Sequence, residues 1–417
     1  MEKEKIGIVG AGIAGLVLAR ELVTRFDVTI LEARPVAGGR IQTITNIDFP
    51  CPIEAGAEFI HGHLKHSMRL LKEAGIKYEA IEGKMYRKER GKWKEQDDMI
   101  EGWDDLMKKM RKLEVDMVFH EFLQSNFPGE KYIELRRHAT AFAEGFDVAD
   151  TKKVSTKALY KEWSHTEEEN FRIPAGYGSL VDFLVMQNIE KGCRFIYNET
   201  VKKIDWKKNE VSIETAAGKK FECNRVFITL PVSILQGGSA SCFINFSPAL
   251  PTQMQAAAQI GFGPVIKIVF LFKEPFWEKD SGFIFSEEII PTWWTQLPNT
   301  APILTGWAGG EQAAPLSNES EKSLLEKALI SLSNIFDIPV EELKNNLQFS
   351  YVANWQNNAW AAGAYSYATP QTKAARKLLN KPVEDTIYFC GEGIYDGDAP
   401  GTVEASIAHA IETAAKL

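Results

Sequence analysis

Cysteine is scarce in this 417-residue chain. Its five copies, Cys51, Cys193, Cys223, Cys242 and Cys390, are scattered, odd in number and never spaced C-x-x-C. A disulfide framework or a cysteine-rich metal site needs clustering, so buried free thiols are expected. Long apolar runs are missing too: none approaches the ~20 residues that a membrane span requires. Positive charge is not in excess. Lys and Arg total 48 against 56 Asp and Glu, a net charge of −8. With no basic arm and no long like-charge run, nucleic acid is not an expected partner. His61, His63 and His66 lie close together but lack the i, i+4 spacing and the neighbouring cysteine of a metal site, so no metal is expected. Met1 to Lys5 run straight into an apolar strand and the chain stops at Leu417, so neither a leader nor an anchor is expected, and the expected location is cytoplasmic.

What is present is ordinary globular composition, 45% hydrophobic and 25% charged, in a chain long enough for two domains with large cores. The organising stretch is Ile6-Gly7-Ile8-Val9-Gly10-Ala11-Gly12-Ile13-Ala14-Gly15, closed by Glu32. Ile6–Val9 reads as a buried parallel strand stopped by glycine. Leu16, Ala19 and Val23 recur at helical spacing, and Asp27–Leu31 is a second strand ending at Glu32. Gly10 permits a sharp turn, Gly12 lets the backbone approach a pyrophosphate, and Gly15 lets helix and strand pack closely. The helix N-terminus then faces phosphate with unpaired N–H groups, while Glu32 can accept bonds from a ribose and disfavours a 2′-phosphate. The strand–turn–helix context is what lifts this G-x-G-x-x-G above chance. The expected class is α/β, with a Rossmann-like dinucleotide unit.

After Glu32 comes Ala33-Arg34-Pro35-Val36-Ala37-Gly38-Gly39-Arg40. With this second glycine–arginine element the sequence resembles the flavin-containing amine oxidase superfamily, monoamine and polyamine oxidases included, and the resemblance covers essentially the whole chain. It implies FAD rather than NAD. It also implies two discontinuous domains: a Rossmann-like FAD-binding domain from 1–75, 185–245 and 345–417, and a substrate domain of mixed sheet and helices from 76–184 and 246–344. The implied cofactor contacts begin with Gly10, Gly12, Ala14, Gly15, Glu32, Ala33, Arg34, Gly39 and Arg40. Ala57, Glu58 and Phe59 match positions beside the flavin ring, and Val201 a position at the adenine. Trp355, the Gly391-Glu392 pair, and Thr402 and Val403 at the start of the last helix complete the set.

Residues implied to face substrate are His61, Trp360, Tyr365 and Thr402, and the Ile60-His61-Gly62 ending leans towards polyamine oxidases. Lys267 and Tyr365 are the implied catalytic pair. Lys267 interrupts an apolar, alternating run from Gly263 to Trp277, and such a lysine reaches either solvent from an edge or a buried site. The resemblance implies the buried site, with a water held at flavin N5, and makes Tyr365 the aromatic wall beside the reactive ring face. Ala364 stands where monoamine oxidases carry a tethering cysteine, so FAD is expected to be non-covalent. The implied reaction takes a C–N bond of an amine to an imine by hydride transfer to flavin N5, with O2 reoxidising the flavin. The implied partners are a small-molecule amine and O2, with no membrane and with a homodimer as the candidate assembly. Rivals on the same fold are a C–C desaturase or ring oxidase, an amino acid oxidase, and a non-catalytic binding protein. An amino acid oxidase would need a cavity arginine for its carboxylate, and the sequence places none.

Between Ser67 and Tyr177 the texture changes. Ser67 is expected to cap a helix ending near Gly75. Leu106–Phe127 and Tyr132–Glu144 read as amphipathic helices, which the resemblance makes a roof over the substrate, with Phe142, Glu144 and Phe146 as candidate lining. Later expectations are strands at Arg194–Tyr197, Thr200–Asp205, Glu210–Glu214 and Val226–Leu230, and a helix over Ser317–Phe336.

Overall fold

The computed structural model describes residues 3–46, 48–95, 101–164, 169–238 and 242–417. Two sheets set the architecture. The first has the strand order Arg194–Ile196, Asp27–Leu31, Lys5–Val9, Arg225–Ile228 and Ile387–Phe389, and every pairing in it is parallel. Its strands are apolar on both faces because both are covered, as parallel sheets require. On one side Leu16 and Ala19 of the Ile13–Leu22 helix pack with Leu180 and Leu184 of the Gly178–Glu190 helix and Ile407 and Ala410 of the Val403–Ala414 helix. On the other, Val9, Val226 and Ile228 meet Ile204 and Ile213 of a smaller sheet.

The second sheet runs Leu347–Asn354, Val265–Phe272, Ile303–Gly309, Thr292–Trp294, Ser281–Ser286, Lys84–Glu89 and Lys92–Glu95. Val265–Phe272 lies inside it, antiparallel to a neighbour on each side, and all eight of its residues are buried. Lys267 is therefore not an edge lysine. Over this sheet sits a helical layer, Trp103–Arg111, Phe119–Asn126, Ile133–Gly145 and Thr156–Trp163, with its own apolar cluster around Leu106, Phe119, Phe122 and Ala139.

Several expectations are corrected. The helix expected over Leu106–Phe127 is two, Trp103–Arg111 and Phe119–Asn126. The break arises because the intervening backbone finds other partners: Val118 bridges Ser155, and Asp116 accepts from Ser155 Oγ (2.6 Å) and Lys157 N (3.1 Å). Ser67 lies within the Lys65–Ala74 helix rather than at its cap. The capping oxygen comes from another helix: Glu404 takes the N–H groups of His66 and Ser67 and the Ser67 hydroxyl. The helix expected from Ser317 begins at Glu321, with the Ser320 hydroxyl accepting from Ser323 N. The expected domain boundary at 184/185 falls inside the Gly178–Glu190 helix, and Phe171, Ile173 and Tyr177 already belong to the dinucleotide unit's core. Leu347–Asn354, expected with that unit, pairs instead in the seven-stranded sheet.

Candidate active site

A cavity of about 800 Å³ reaches from Glu32 and Val201, past Gly12 and Gly39, to Lys267 and Tyr365 and on beneath the helical layer. Every cofactor, substrate and catalytic residue named from the sequence lines it except Gly15. Gly15 acts one step removed: a Cβ there would stand 2.1 Å from the Gly10 carbonyl oxygen, so its absence lets the helix close onto the strand.

At the first end the working atoms are main chain. Gly10 turns the chain at φ +106°. Gly12 occupies the N-cap of the Ile13–Leu22 helix with no side-chain bond to the helix's first N–H groups. Gly12 and Gly38 bridge, and Gly39 packs so closely that a Cβ on it would lie 3.2 Å from Gly12 Cα. The two glycine elements are thus one cradle. Glu32, buried at its strand end, accepts from Ala11 N (2.7 Å) and Arg34 N (2.9 Å). Arg40 gives Nη1 to Glu392 and to the Ala364 carbonyl, both at 2.7 Å, and Glu392 also accepts from Ser366 Oγ (2.6 Å). Part of the Arg40 fork therefore clamps the cradle to the end of the chain.

At the far end the working atoms are side chains. Glu58 is buried and trebly held. Lys267 Nζ donates to its Oε2 (2.6 Å), while Arg172 Nη2 (2.9 Å) and Trp294 Nε1 (3.0 Å) donate to Oε1. Burial pushes the Glu58 carboxyl up, but Lys267 and Arg172 more than reverse it, and the group stays below its ordinary value. Lys267 also donates to the Gly56 carbonyl (3.1 Å) and stands 5.4 Å from the Trp294 ring centre. Sequence reasoning missed Arg172 and Trp294. An arginine inside Phe171-Arg172-Ile173 was the available signal, and pairing of Phe59 with Arg172 is what delivers it.

Around this network the walls are aromatic. Tyr365 Oη donates to the Phe146 carbonyl (2.6 Å), tying the cradle side to the roof. Burial, with Asp147 and Glu162 nearby, holds its phenol well above the ordinary value, hence neutral. His61 Nδ1 meets Asn170 Oδ1 (2.6 Å), its ring sits edge-on to Phe146, and burial lowers its pKa. Trp355 Nε1 donates to the Ala55 carbonyl (2.8 Å). Trp360 lines the wall beside Cys242 and Ile234. Thr402 commits its hydroxyl to the last helix, accepting from Ala405 N (3.2 Å) and donating to the Ala399 carbonyl (2.6 Å). Of the roof candidates, Phe142 and Phe146 line the cavity, whereas Glu144 faces Glu311 and Asp150. A buried acid pair under the roof was also missed. Trp163 Nε1 donates to Asp147 Oδ2 (3.0 Å), and burial raises the pKa of both Asp147 and its partner Glu162, so the two hold a proton between them.

Among the described residues one group, Glu89, Glu134 and His138, comes close enough to hold a metal ion. Arg137 already supplies its cation, donating to Glu89 and to Glu134. No helix among the described residues is long and apolar enough to cross a membrane.

A family model described as flavin containing amine oxidoreductase matches residues 13–417. Polyamine oxidase 4 of Oryza sativa subsp. japonica is 24% identical over 97% of this chain and 87% of its own length. Lysine-specific histone demethylase 2 of Homo sapiens is 22% identical over 98% of this chain, but the match spans only 53% of that protein. Among solved structures, wild-type putrescine oxidase bound to putrescine superposes with a TM-score of 0.83, at 20% identity, over 100% of this chain and 99% of that one. Cyclohexylamine oxidase from Brevibacterium oxydans gives 0.80 at 19% identity, over 99% of each. The cradle fits FAD on its own evidence: uncapped N–H groups at a helix N-terminus suit a pyrophosphate, and a fixed buried carboxylate at the next strand end suits a ribose.

Proposed function

Since the chain belongs to the flavin-containing amine oxidoreductases and is a flavin-dependent amine oxidase with FAD as its cofactor, we propose that it oxidises the C–N bond of a small-molecule amine to an imine in the aromatic chamber under the roof, with O2 as the final acceptor. When bound, FAD supplies the two-electron chemistry. Everything else is for the chain to supply. Gly12 and the helix behind it would hold the pyrophosphate, Glu32 the ribose, and Val201 the adenine. The observation that carries the reading is the buried Lys267–Glu58 pair, whose lysine is set in an inner strand and whose two residues both line the cavity. An ammonium fixed there places a charged donor, and any water it holds, where charge develops during the reaction.

The amine must be uncharged to react. With a pKa of ~10, only about one alkyl amine in a thousand is neutral at pH 7. Phe59, Phe146, Trp294, Trp307 and Tyr365 exclude water from the chamber, and desolvation shifts that equilibrium at ~1.4 kcal/mol per unit. Neutral His61 adds no charge to repel the incoming cation. The lean to polyamines rests on His61-Gly62 and on the names of the relatives. The test is anaerobic bleaching of the flavin spectrum by a panel of mono-, di- and polyamines and amino acids. Bleaching by amines is expected. A protein that no amine bleaches, or that an α-amino acid bleaches faster than any amine, would overturn the reading.

A further inference from the structure

His61 turns one ring nitrogen to the chamber, and the residue opposite decides what that nitrogen can do. Phe59 and His61 stand two apart on the short strand Phe59–His61, so their side chains leave the same face, and both line the cavity. The His61 ring lies 6.2 Å from Phe59 and 5.6 Å from Phe146, centre to centre. Antiparallel pairing sets Asn170 directly across from His61, where Cβ atoms stand about 4.5–5.5 Å apart. That gap suits a short amide, and Asn170 Oδ1 reaches to 2.6 Å from Nδ1. An amide oxygen only accepts, so Nδ1 carries the hydrogen of the neutral ring and Nε2 keeps a lone pair. Nε2 has no partner among the described residues, and it is not one of the atoms sealed off from the cavity.

The titratable groups on the surrounding elements are committed elsewhere. Glu58 is held by Lys267 and Arg172, and His63 meets Glu169 at 3.0 Å. Asp147, next to Phe146, accepts from Trp163 and pairs with Glu162. Tyr365 gives its hydroxyl to the Phe146 carbonyl. None of them moves His61, whose pKa is lowered by burial and raised in part by the Asn170 bond. The ring is therefore neutral near pH 7. We propose that Asn170 is a positioning residue for amine oxidation: by taking the Nδ1 hydrogen it fixes Nε2 of His61 as an acceptor that holds the substrate amine through an N–H bond. The proposal rests on the amine oxidase reading and deepens it.

The chemistry requires that direction. When an amine becomes an imine, the lone pair of its nitrogen becomes the second C–N bond, so that pair must be left free. A ring with hydrogen on Nε2 would bind the lone pair. A ring with its own lone pair on Nε2 takes the N–H instead. An aspartate in place of Asn170 would also accept from Nδ1, but its charge favours the imidazolium. That state puts a hydrogen on Nε2 and a positive charge beside an incoming cation. The uncharged amide fixes the tautomer without charging the ring.

The experiment compares FAD-loaded wild type, Asn170→Asp and Asn170→Leu, with His61→Gln to assign the signal. Nitrogen-15 NMR of the histidine-labelled proteins, without substrate, reads which ring nitrogen carries hydrogen. Wild type should show it on Nδ1 alone near neutral pH. Asn170→Leu should lose that preference, and Asn170→Asp should gain the second hydrogen at a higher pH than wild type. Turnover of hexylamine and spermidine then gives kcat/KM as a ratio to wild type, in which the substrate's own titration cancels. Asn170→Leu should lie about fivefold to tenfold below wild type at every pH, the worth of one misdirected hydrogen bond. Asn170→Asp should match wild type in alkali and fall away towards acid, its limb displaced upwards by about one to three pH units. A residue that only holds the fold would lower both variants evenly, so a flat Asn170→Asp ratio overturns the proposal. Hydrogen on Nε2 in wild type does so too, whether or not the variants fold. If the spectra come out as expected while neither amine bleaches the flavin, Asn170 still sets the ring, but the amine oxidase reading falls and takes the substrate contact with it. Bleaching by amines with hydrogen on Nε2 removes the proposal and leaves that reading in place.

Discussion

The two ends of the cavity are made of different material. At the cradle, chain neighbours supply backbone: Gly10, Gly12, Gly38 and Gly39 come from one strand–helix–strand passage, and Glu32 is pinned by N–H groups of the same passage. At the chamber, one carboxylate gathers Lys267 from the inner strand of a second sheet, Arg172 from a short strand and Trp294 from a third place. A backbone site is specified by where side chains are missing. A side-chain site is specified by pairings between segments far apart in sequence, and the two should therefore break in different ways.

The sharpest break is between two glycines three residues apart. A methyl on Gly15 would lie 2.1 Å from the Gly10 carbonyl oxygen and 3.0 Å from Thr229 Oγ1, so the helix would have to leave the strand. Gly15→Ala should lose ~3 kcal/mol or more, the upper end for overpacking, and much of it is expected to fail to fold. Gly12 has φ −70° and ψ 173°, open to any residue, and its nearest neighbour would be Gly39 Cα at 4.0 Å. Gly12→Ala should fold within about 0.5 kcal/mol of wild type yet emerge depleted of FAD, since the methyl occupies the pyrophosphate's approach. Flavin content on purification and the urea midpoint decide it. Full FAD occupancy in Gly12→Ala would remove the pyrophosphate from this turn.

The chamber should break by charge instead. Glu58 sits between two cations, so Lys267→Met leaves a balanced Glu58–Arg172 pair, whereas Glu58→Gln leaves two buried cations facing each other. Glu58→Gln is expected to cost about 3–5 kcal/mol, and Lys267→Met about 1–3 kcal/mol for the lost donor at Oε2. Activity should rank them the other way. Loss of one preorganised charged donor in Lys267→Met should lower turnover by about 10²–10³ while FAD is retained. Urea titration and steady-state rates test both, and Lys267→Met proving the less stable of the two would refute the charge arithmetic.

The same contrast explains what could be read from the sequence. The cradle was legible because glycine spacing, strand, helix and acid lie in one short passage whose local rules suffice. Lys267 stood out as a lysine in an apolar run, but its partner did not, because pairing Glu58 with it requires knowing how segments 209 residues apart meet. Arg172 and Arg87 were hidden for a related reason. Each is a charged residue in a short strand, and only its cross-strand partner, Phe59 or Phe285, shows where it points: Arg172 to Glu58, Arg87 to the cavity. The Asp147–Glu162 pair joins a helix end to the next helix across a turn, a contact with no periodic signature. The expected Leu106–Phe127 helix failed because periodicity cannot see that Val118 and Asp116 find tertiary partners.

A smaller and finer test uses pH, because the two ends hold protons in opposite ways. His409 accepts from Gly391 N (3.0 Å) and contacts Asn380 Oδ1 (2.6 Å). Burial and Lys416 depress its pKa to about 4. As pH falls below 6.5 the unfolded chain takes a proton that the folded cradle refuses. Stability drains between pH 6.5 and about 4, by up to about 3 kcal/mol. The Asp147–Glu162 pair does the reverse, since burial raises both groups, Glu162 to about 7. As pH rises above 4.5 the unfolded chain ionises while the folded chamber keeps its proton, and stability drains up to about pH 7. The two slopes oppose each other across the same window and partly cancel in wild type. Urea midpoints at pH 4.5, 5.5 and 6.5 should separate them. Glu162→Gln leaves the cradle's slope exposed and should lose stability towards acid more steeply than wild type. His409→Gln keeps an acceptor for Gly391 but no titration, and should lose less than wild type on the same descent. Three parallel profiles would mean that neither group carries its proton into the fold differently from the unfolded chain.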